Sequence, residues 1–572
     1  MKTIVHWAVA LLLTPWLAGC APSRPEVAGG SVVTNPIDLN YRFQPDSVAR
    51  REAADPVVEY FKGYYYLFAS KSGGYWRSAD LAKWEYIACS TIPTLDDYAP
   101  TILAYGDTLY FTASSTATRI FKNAHPETDA WEEVDTKFAY AQHDPSFFKD
   151  DDGRVYLYWG CSDVEPISGV EVDPGDGFRA IGTPRVLIAH HGDKYGWEVP
   201  GANNEEPRQG WNEGPCMVKH GGRYYLQYAA PGTQYRVYAD GSYAGDAPLG
   251  PFTYVEDSPF SLKPGGFIGG AGHGHTFRDK YGNYWHVASM TIAVRHIFER
   301  RLGLFPLVVS ERYGLYAPTT FADYPFLVPD RKVDFENEAI GMGWNLLSYR
   351  KAADASSSIQ GHGPELANDE KVETWWAAQT GDEGEWLRID LGKPMEVNAI
   401  HVNFADHDAR VDHAPLIYQY DIAGSADGEK WTTLVDATRN TDDAPHRLHT
   451  LDAPVSARYL RIRNAREVEA CFSLSGLRVF GRGDGAAPRG VTGFRATRDE
   501  RDRRAYRFVW DAQDDATGYI LRWGTYEGRP THSVVVYGNT YEARYFNRDS
   551  DYRFSVSAFN ENGECPSPTK YE

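Results

Sequence analysis

At 572 residues the chain exceeds what a single hydrophobic core organises, so several domains are expected. A formal net charge of −20 excludes a nucleic-acid partner, since phosphate binding needs a basic surface, and it disfavours strongly acidic polysaccharides. Aromatic residues make up 14% of the chain, with 38 Tyr and 16 Trp, a composition suited to strands and to stacking on sugar rings.

Lys2 precedes an apolar run from Ile4 to Leu17 that is too short to span a bilayer as a permanent helix. The run ends in Leu17-Ala18-Gly19-Cys20, which resembles a bacterial lipobox. That resemblance implies removal of residues 1–19, lipidation of the Cys20 thiol and tethering to a membrane, on its periplasmic or cell-surface side. An ordinary secretion signal is the alternative. Residues 20–39 read as a spacer. Cys89, Cys161, Cys216, Cys471 and Cys565 are an odd, scattered set that forms no disulfide framework; most read as buried thiols, a Cys161–Cys216 pair being the alternative that spacing does not support.

Between residues 55 and 290 one pattern recurs five times: a residue beside proline or glycine, a short apolar run, a Gly turn and an aromatic-rich strand. Asp55-Pro-Val-Val precedes Gly63-Tyr-Tyr-Tyr-Leu, Ala99-Pro-Thr-Ile precedes Gly106-Asp-Thr-Leu-Tyr, and Asp144-Pro-Ser-Phe-Phe precedes Gly153-Arg-Val-Tyr-Leu. Glu213-Gly-Pro-Cys-Met then precedes Gly222-Arg-Tyr-Tyr-Leu, and His273-Gly-His-Thr-Phe precedes Gly282-Asn-Tyr-Trp-His. A hairpin unit recurring at roughly 45 residues or more predicts the blades of a β-propeller. The blades are expected over 40–330. Innermost strands of a propeller line one channel, so residues at matching positions converge, here Asp55, Asp144 and Glu213.

Three acids facing one channel suit glycosidic bond hydrolysis. One carboxyl must be protonated to serve the leaving oxygen, another must be ionised to attack or to activate water, and a third holds the acid protonated by repulsion. Asp-Pro is also an ordinary turn starter, so the reading rests on the acids occurring together. Blade two carries Ala99 in the same slot and is expected to supply shape.

At these motifs the region resembles glycoside hydrolase family 43, a family of five-bladed propellers. The resemblance implies Asp55 as general base, Asp144 as the residue that tunes pKa and orients the sugar, and Glu213 as general acid. It implies that His273 lies near the channel centre, beside a calcium ion or its waters. It also implies an inverting mechanism, in which base and acid stand about 6.5–9.5 Å apart. Tyr98, Trp211 and Arg295 are expected to bound the sugar pocket; ordinary packing is the alternative for each. The insert from His190 to Gln209, with Trp197, Glu198, Glu205 and Glu206, is expected to form a rim over it.

Residues 333–482 change character, with alternating strands around Trp375-Trp376, Glu385-Trp-Leu-Arg-Ile-Asp-Leu-Gly, Ser425-Ala-Asp-Gly-Glu-Lys-Trp431 and Ala457-Arg-Tyr-Leu-Arg-Ile-Arg. There the chain resembles the discoidin, or coagulation-factor type C, β-sandwich, whose bacterial relatives often bind carbohydrate. The resemblance places a structural calcium ion in the loop 367–374, with Asp369 and Thr374 as oxygen ligands. Residues 488–572, with Trp510, Tyr519-Ile-Leu-Arg-Trp523 and Tyr552-Arg-Phe-Ser-Val-Ser-Ala-Phe, resemble a fibronectin type III sandwich, Tyr552 falling at its tyrosine corner.

The expectation is thus an all-β, membrane-tethered glycosidase that needs no cofactor for its chemistry and removes a terminal sugar from glycans. α-L-Arabinofuranosides come first, then β-D-galactofuranosides, then β-xylosides. The rival of another class is a non-catalytic surface glycan-binding lipoprotein.

Overall fold

A computed structural model describes residues 29–44, 49–92, 98–409, 415–566 and 570–571. The five Gly turns of the repeat are hairpin corners: Gly63, Gly106, Gly153, Gly222 and Gly282 all have φ between 61° and 91°, where a side chain is strained. Each corner joins an innermost strand to its neighbour. The innermost strands are Val57–Phe61, Thr101–Tyr105, Ser146–Lys149, Asn212–His220 and Gly269–Arg278. Each packs beside the next, and the fifth returns to the first, closing a five-bladed ring. All hairpin pairings within the blades are antiparallel, as in Val57↔Phe68 and Ser146↔Tyr158.

The ring is closed by chain that had been read as spacer. Gly30–Val33 pairs antiparallel with Phe326–Pro329. Beyond it, Asn35 both donates to the Leu304 carbonyl and accepts from the Leu304 N–H, while the Ile37 N–H reaches the Leu302 carbonyl at 2.9 Å. The spacer reading therefore fails from Gly30 onward. Unpaired edge groups of the fifth blade require partners, and this segment supplies them.

The second unit is one bent antiparallel sheet built on two 19-residue strands, Trp386–Phe404 and His446–Asn464, flanked by Ser473–Arg482 and Tyr420–Ser425. Register shifts between Asp390 and Met395 and between Val397 and Ala399 bend the long pair, which lets one sheet wrap its own apolar core. The third unit is a sandwich. One sheet holds Arg495–Arg498, Tyr506–Val509 and Thr540–Ala543; the other centres on Gly518–Gly524 and Arg553–Asn560. The Tyr552 hydroxyl accepts the Asn547 N–H at 3.0 Å, pinning the turn before its strand.

The units share cores. Trp197, Tyr228 and Tyr243 of the propeller lie in one apolar cluster with Phe508, Trp523 and Phe546 of the third unit. Wholly buried Arg51 reaches Asp406 and Asp443 of the second. The five cysteines are free; Cys216 is buried, and the other four are half-buried rather than the buried thiols expected. No helix among the described residues is long and apolar enough to cross a membrane. Cys20 lies outside the described residues.

Candidate active site

The repeat places a left-handed residue at the mouth of every innermost strand. Asp55, Ala99, Asp144, Gly214 and His273 have φ of 50°, 49°, 51°, 57° and 47°. Four of these are not glycine, and such strain persists only where surrounding contacts fix it. The fixing contact recurs. The N–H groups of Asp55, Ala99 and Asp144 donate to the hydroxyls of Ser289, Ser70 and Ser114, each from the neighbouring blade and each at 2.8 Å. His273 donates instead to the Asp240 carboxylate at 2.9 Å.

This geometry corrects the register in blade four. The slot held by Asp55 and Asp144 belongs to Gly214, and Glu213 stands one residue earlier. A Cβ at position 214 would sit 2.6 Å from His273 Cδ2, so glycine is required there. The strand is irregular between Glu213 and Cys216, which lets Glu213 turn toward the other acids.

Asp55 is buried and surrounded by donors. Arg300 Nη1 lies 2.9 Å and 3.0 Å from its two oxygens, Ser70 Oγ donates at 2.6 Å, and His273 Nδ1 lies 3.3 Å away. Burial alone pushes a carboxyl up, but Arg300, His273 and Ser70 outweigh it and hold Asp55 below the ordinary range. Glu213 is pushed the other way, to about 7, by burial and then by the Asp144 charge. It accepts from the Tyr238 hydroxyl and, at 3.3 Å, from the Cys161 thiol. Asp144 is raised too, by burial and the charge of Asp55, with His273 opposing. One oxygen each of Asp144 and Glu213 and the Cys161 sulfur lie within 4.8 Å of one another. His273 Nδ1 is 3.6 Å from Asp144; burial lowers the imidazole, but Asp55, Asp144 and Glu213 outweigh burial and raise it.

The structure thus brings together Asp55, Asp144, Glu213 and His273. Tyr98 stays near them: its ring lies 5.5 Å from Phe298, which stacks 4.9 Å from the Arg300 guanidinium. Trp211 is 39% exposed, two residues before Glu213. Arg295 does not take the expected position. Its guanidinium bonds Glu299 at 2.7 Å and the Ala405 carbonyl, and lies over Trp375, so it belongs to the seam with the second unit. The cation that touches the acids is Arg300. Within the insert 190–209, Trp197 and Glu198 are buried and Tyr195 stacks on Tyr254 at 3.7 Å, so these residues form no rim, whereas Glu205 is exposed and Glu206 half-buried.

Sequence reasoning missed Arg300, Tyr238 and Cys161. Arg300 lies in a run of charged residues, Glu299-Arg300-Arg301, that reads as a solvated surface; its complete burial was the missing signal. Cys161 follows the third-blade strand Val155–Trp159 and pairs with Glu213, a cross-blade contact no local pattern announces.

Calcium takes about six to eight oxygen ligands. Around His273 a nitrogen already faces both carboxylates, so those residues do not fit direct calcium coordination. In the loop 367–374, Thr374 Oγ1 donates to Asp369 at 2.8 Å, which places two oxygens together. Glu370 and Glu373 are held by Arg478 and Arg236, while Asp369 accepts the Lys371 N–H at 3.1 Å on one oxygen and the Thr374 hydroxyl on the other. Asp369 and Thr374 are both oxygen donors of the kind calcium takes.

Residues 45–306 match the family model Glycosyl hydrolases family 43, and residues 352–475 match the F5/8 type C domain. Over 95 residues the chain is 32% identical to EGF-like repeat and discoidin I-like domain-containing protein 3 of Homo sapiens, covering 15% of this chain and 19% of that protein. Over 134 residues it is 31% identical to Beta-xylosidase of Xylanibacter ruminicola, covering 19% of this chain and 39% of that protein. The chain spans about a fifth to two fifths of the length of these relatives. A solved structure described as a glycoside hydrolase aligns at 18% identity with a TM-score of 0.43, over 77% of this chain and 99% of its own. Residues 45–306 are a family 43 glycosyl hydrolase domain, and residues 352–475 are an F5/8 type C domain.

Proposed function

We propose that the protein is an exo-acting, inverting glycoside hydrolase that releases a terminal furanose from glycans, with α-L-arabinofuranosides first and β-D-galactofuranosides second. The observation that carries the reading is the opposite displacement of two carboxyls in one channel. Arg300 keeps Asp55 ionised, while burial and Asp144 keep Glu213 protonated near neutrality. Asp55 draws a proton from water, which attacks the anomeric carbon; the glycosidic bond breaks as Glu213 gives its proton to the departing oxygen. Asp55 then gives its proton to solvent and Glu213 regains one, which the neighbouring Asp144 charge favours.

Hydrolysis of aryl α-L-arabinofuranoside, β-D-galactofuranoside and β-D-xyloside by the wild type and Glu213→Ala, beside a natural glycan, tests the reading. Turnover of one sugar, lost on the natural glycan in the variant, supports it; silence on every substrate by folded protein overturns it. Proton NMR of the first-released anomer tests inversion. A second reading, β-xyloside cleavage, is favoured by the 31% identity to the Beta-xylosidase of Xylanibacter ruminicola.

The remaining parts of the proposal are the anchor, the calcium ion and the third unit. Lipid on Cys20 holds the enzyme to a membrane at the periplasmic or cell-surface side, and Cys20→Ala should release it to the soluble fraction. Asp369 and Thr374 hold a structural calcium ion, tested by the effect of chelator on thermal unfolding. The third unit, with its pinned Tyr552, is fibronectin type III-like and braces the propeller.

A further inference from the structure

A cavity of about 420 Å³ opens where the insert 190–210 meets the third unit. Glu205, Arg208 and Gln209 form its propeller wall; Asp502, Arg504 and Arg544 form the opposite one. Neither unit encloses it alone. Its volume falls within the range of about 300–1,000 Å³ typical of small-molecule sites.

The chemistry of the walls selects a ligand class. Arg208 donates to Glu206 at 2.7 Å, Arg504 forks onto both oxygens of Asp502 at 2.8 and 3.0 Å, and Arg544 lies 3.4 Å from Asp502. Each guanidinium thus already faces a carboxylate, Arg504 and Arg544 sharing Asp502, and with Glu205 the three acids balance the three arginines, so an anionic ligand finds no net positive field to enter. Val199 and Pro207 are the lining's apolar side chains, which excludes a hydrophobic ligand. What remains is a dense array of planar donors and acceptors, matched to a neutral polyhydroxylated chain.

Position supplies the second argument. The wall ends at Gly210, three residues before Glu213, a span of at most about 11 Å. Half-exposed Trp211 lies between, offering a ring face to a sugar. His190, also on the wall, meets the Ser162 carbonyl at 2.8 Å, and Ser162 and Cys161 pair with Asn212 and Glu213. An acid that protonates the leaving oxygen has the leaving chain on its own side, and this cleft lies on the side of Glu213.

We propose that the cleft between the insert and the third unit binds the leaving-group chain of the substrate, a neutral oligosaccharide, with Trp211 at its threshold. The proposal rests on the glycosidase reading above for its role, though not for binding. Glu205 and Gln209 are exposed, so Glu205→Ala/Gln209→Ala in the full chain should fold. Arabinotriose and xylotriose are compared with the matching aryl glycosides. The ratio of trisaccharide to aryl kcat/KM should fall about tenfold in the double variant; an unchanged ratio overturns the proposal. Should the wild type cleave neither, nor the β-D-galactofuranoside and the natural glycan, the glycosidase reading fails; in either case quenching of Trp fluorescence by the same trisaccharides decides the cleft. Saturable quenching weakened in the double variant supports it, and absence of quenching, or quenching equal in both proteins, overturns it.

Discussion

Arg300 holds two buried carboxylates at once: Nη1 lies 2.9 Å from Asp55, and Nη2 lies 2.6 Å from Glu52. Bridging Asp55 to Glu52, which Arg50 also holds at 3.3 Å, makes this arginine a positioning residue for the base. Arg300→Met takes the nearest cation from both acids, leaving Glu52 with Arg50 at 3.3 Å and Asp55 with His273 and Ser70, and should destabilise the protein by less than the roughly 3–5 kcal/mol of an unpaired buried charge in denaturant titrations. Arg300→Lys keeps the charge but loses the fork. It should fold, lose about 10–100-fold in kcat, and move the acid limb of the pH profile upward as Asp55 loses its strongest stabiliser. A purely structural role for Arg300 would leave that limb in place.

The pH profile of kcat/KM follows from the two carboxyls. The active form has Asp55 ionised and Glu213 protonated. Asp55 is held below its ordinary value, so the acid limb should fall below the usual carboxyl range, while the alkaline limb should lie at about 7. The Tyr238 hydroxyl donates to Glu213 and so favours its ionised form. Tyr238→Phe removes that donor, and the alkaline limb should move up rather than down.

Stability should respond to the same group with opposite consequence. Folded Glu213 titrates at about 7 against an ordinary 4.5, so between these values the native protein binds a proton that the unfolded chain has released. Stability therefore falls as pH rises through that window. Glu213→Gln is neutral throughout and lacks the slope. At about 1.4 kcal/mol per pH unit, it should gain up to about 3 kcal/mol on the wild type between pH 4.5 and pH 8, read from chemical denaturation.

The propeller was legible because its determinants are local. Gly63, Gly106, Gly153, Gly222 and Gly282 mark hairpins, and an acid or its replacement marks each strand mouth. Asp55 and Asp144 were found for this reason. Glu213 was found one residue out of register: the proline spacing already aligns Gly214 with Asp55 and Asp144, and the left-handed φ and the contact with His273 show why that slot is a glycine. Arg300 was invisible because it reaches Asp55 across blades, and Tyr238 because it meets Glu213 inside the fourth blade from outside the repeated motif. The seams were equally hidden. Arg295 reads as substrate-facing until Ala405 is brought beside it, and the insert around Trp197 reads as a rim until the third unit covers it.

The seam at Arg51 gives the last prediction. This arginine is wholly buried, donates to Asp406 at 2.8 Å and to the Tyr41 carbonyl at 3.0 Å, and also pairs with Asp443. It therefore ties the propeller to the F5/8 type C domain. Burial raises Asp443 even with Arg51 beside it, so the pair sits near the limit of what one cation supports. Arg51→Met leaves both carboxylates buried without a cation, at a cost of about 3–5 kcal/mol borne by the interface. Calorimetry should then resolve two unfolding transitions where the wild type shows one. Adding Asp406→Asn and Asp443→Asn removes the stranded charges and should restore most of the loss; failure to do so would assign the effect to the lost contact of the Arg51 guanidinium with the Phe43 ring, 4.2 Å from its centroid.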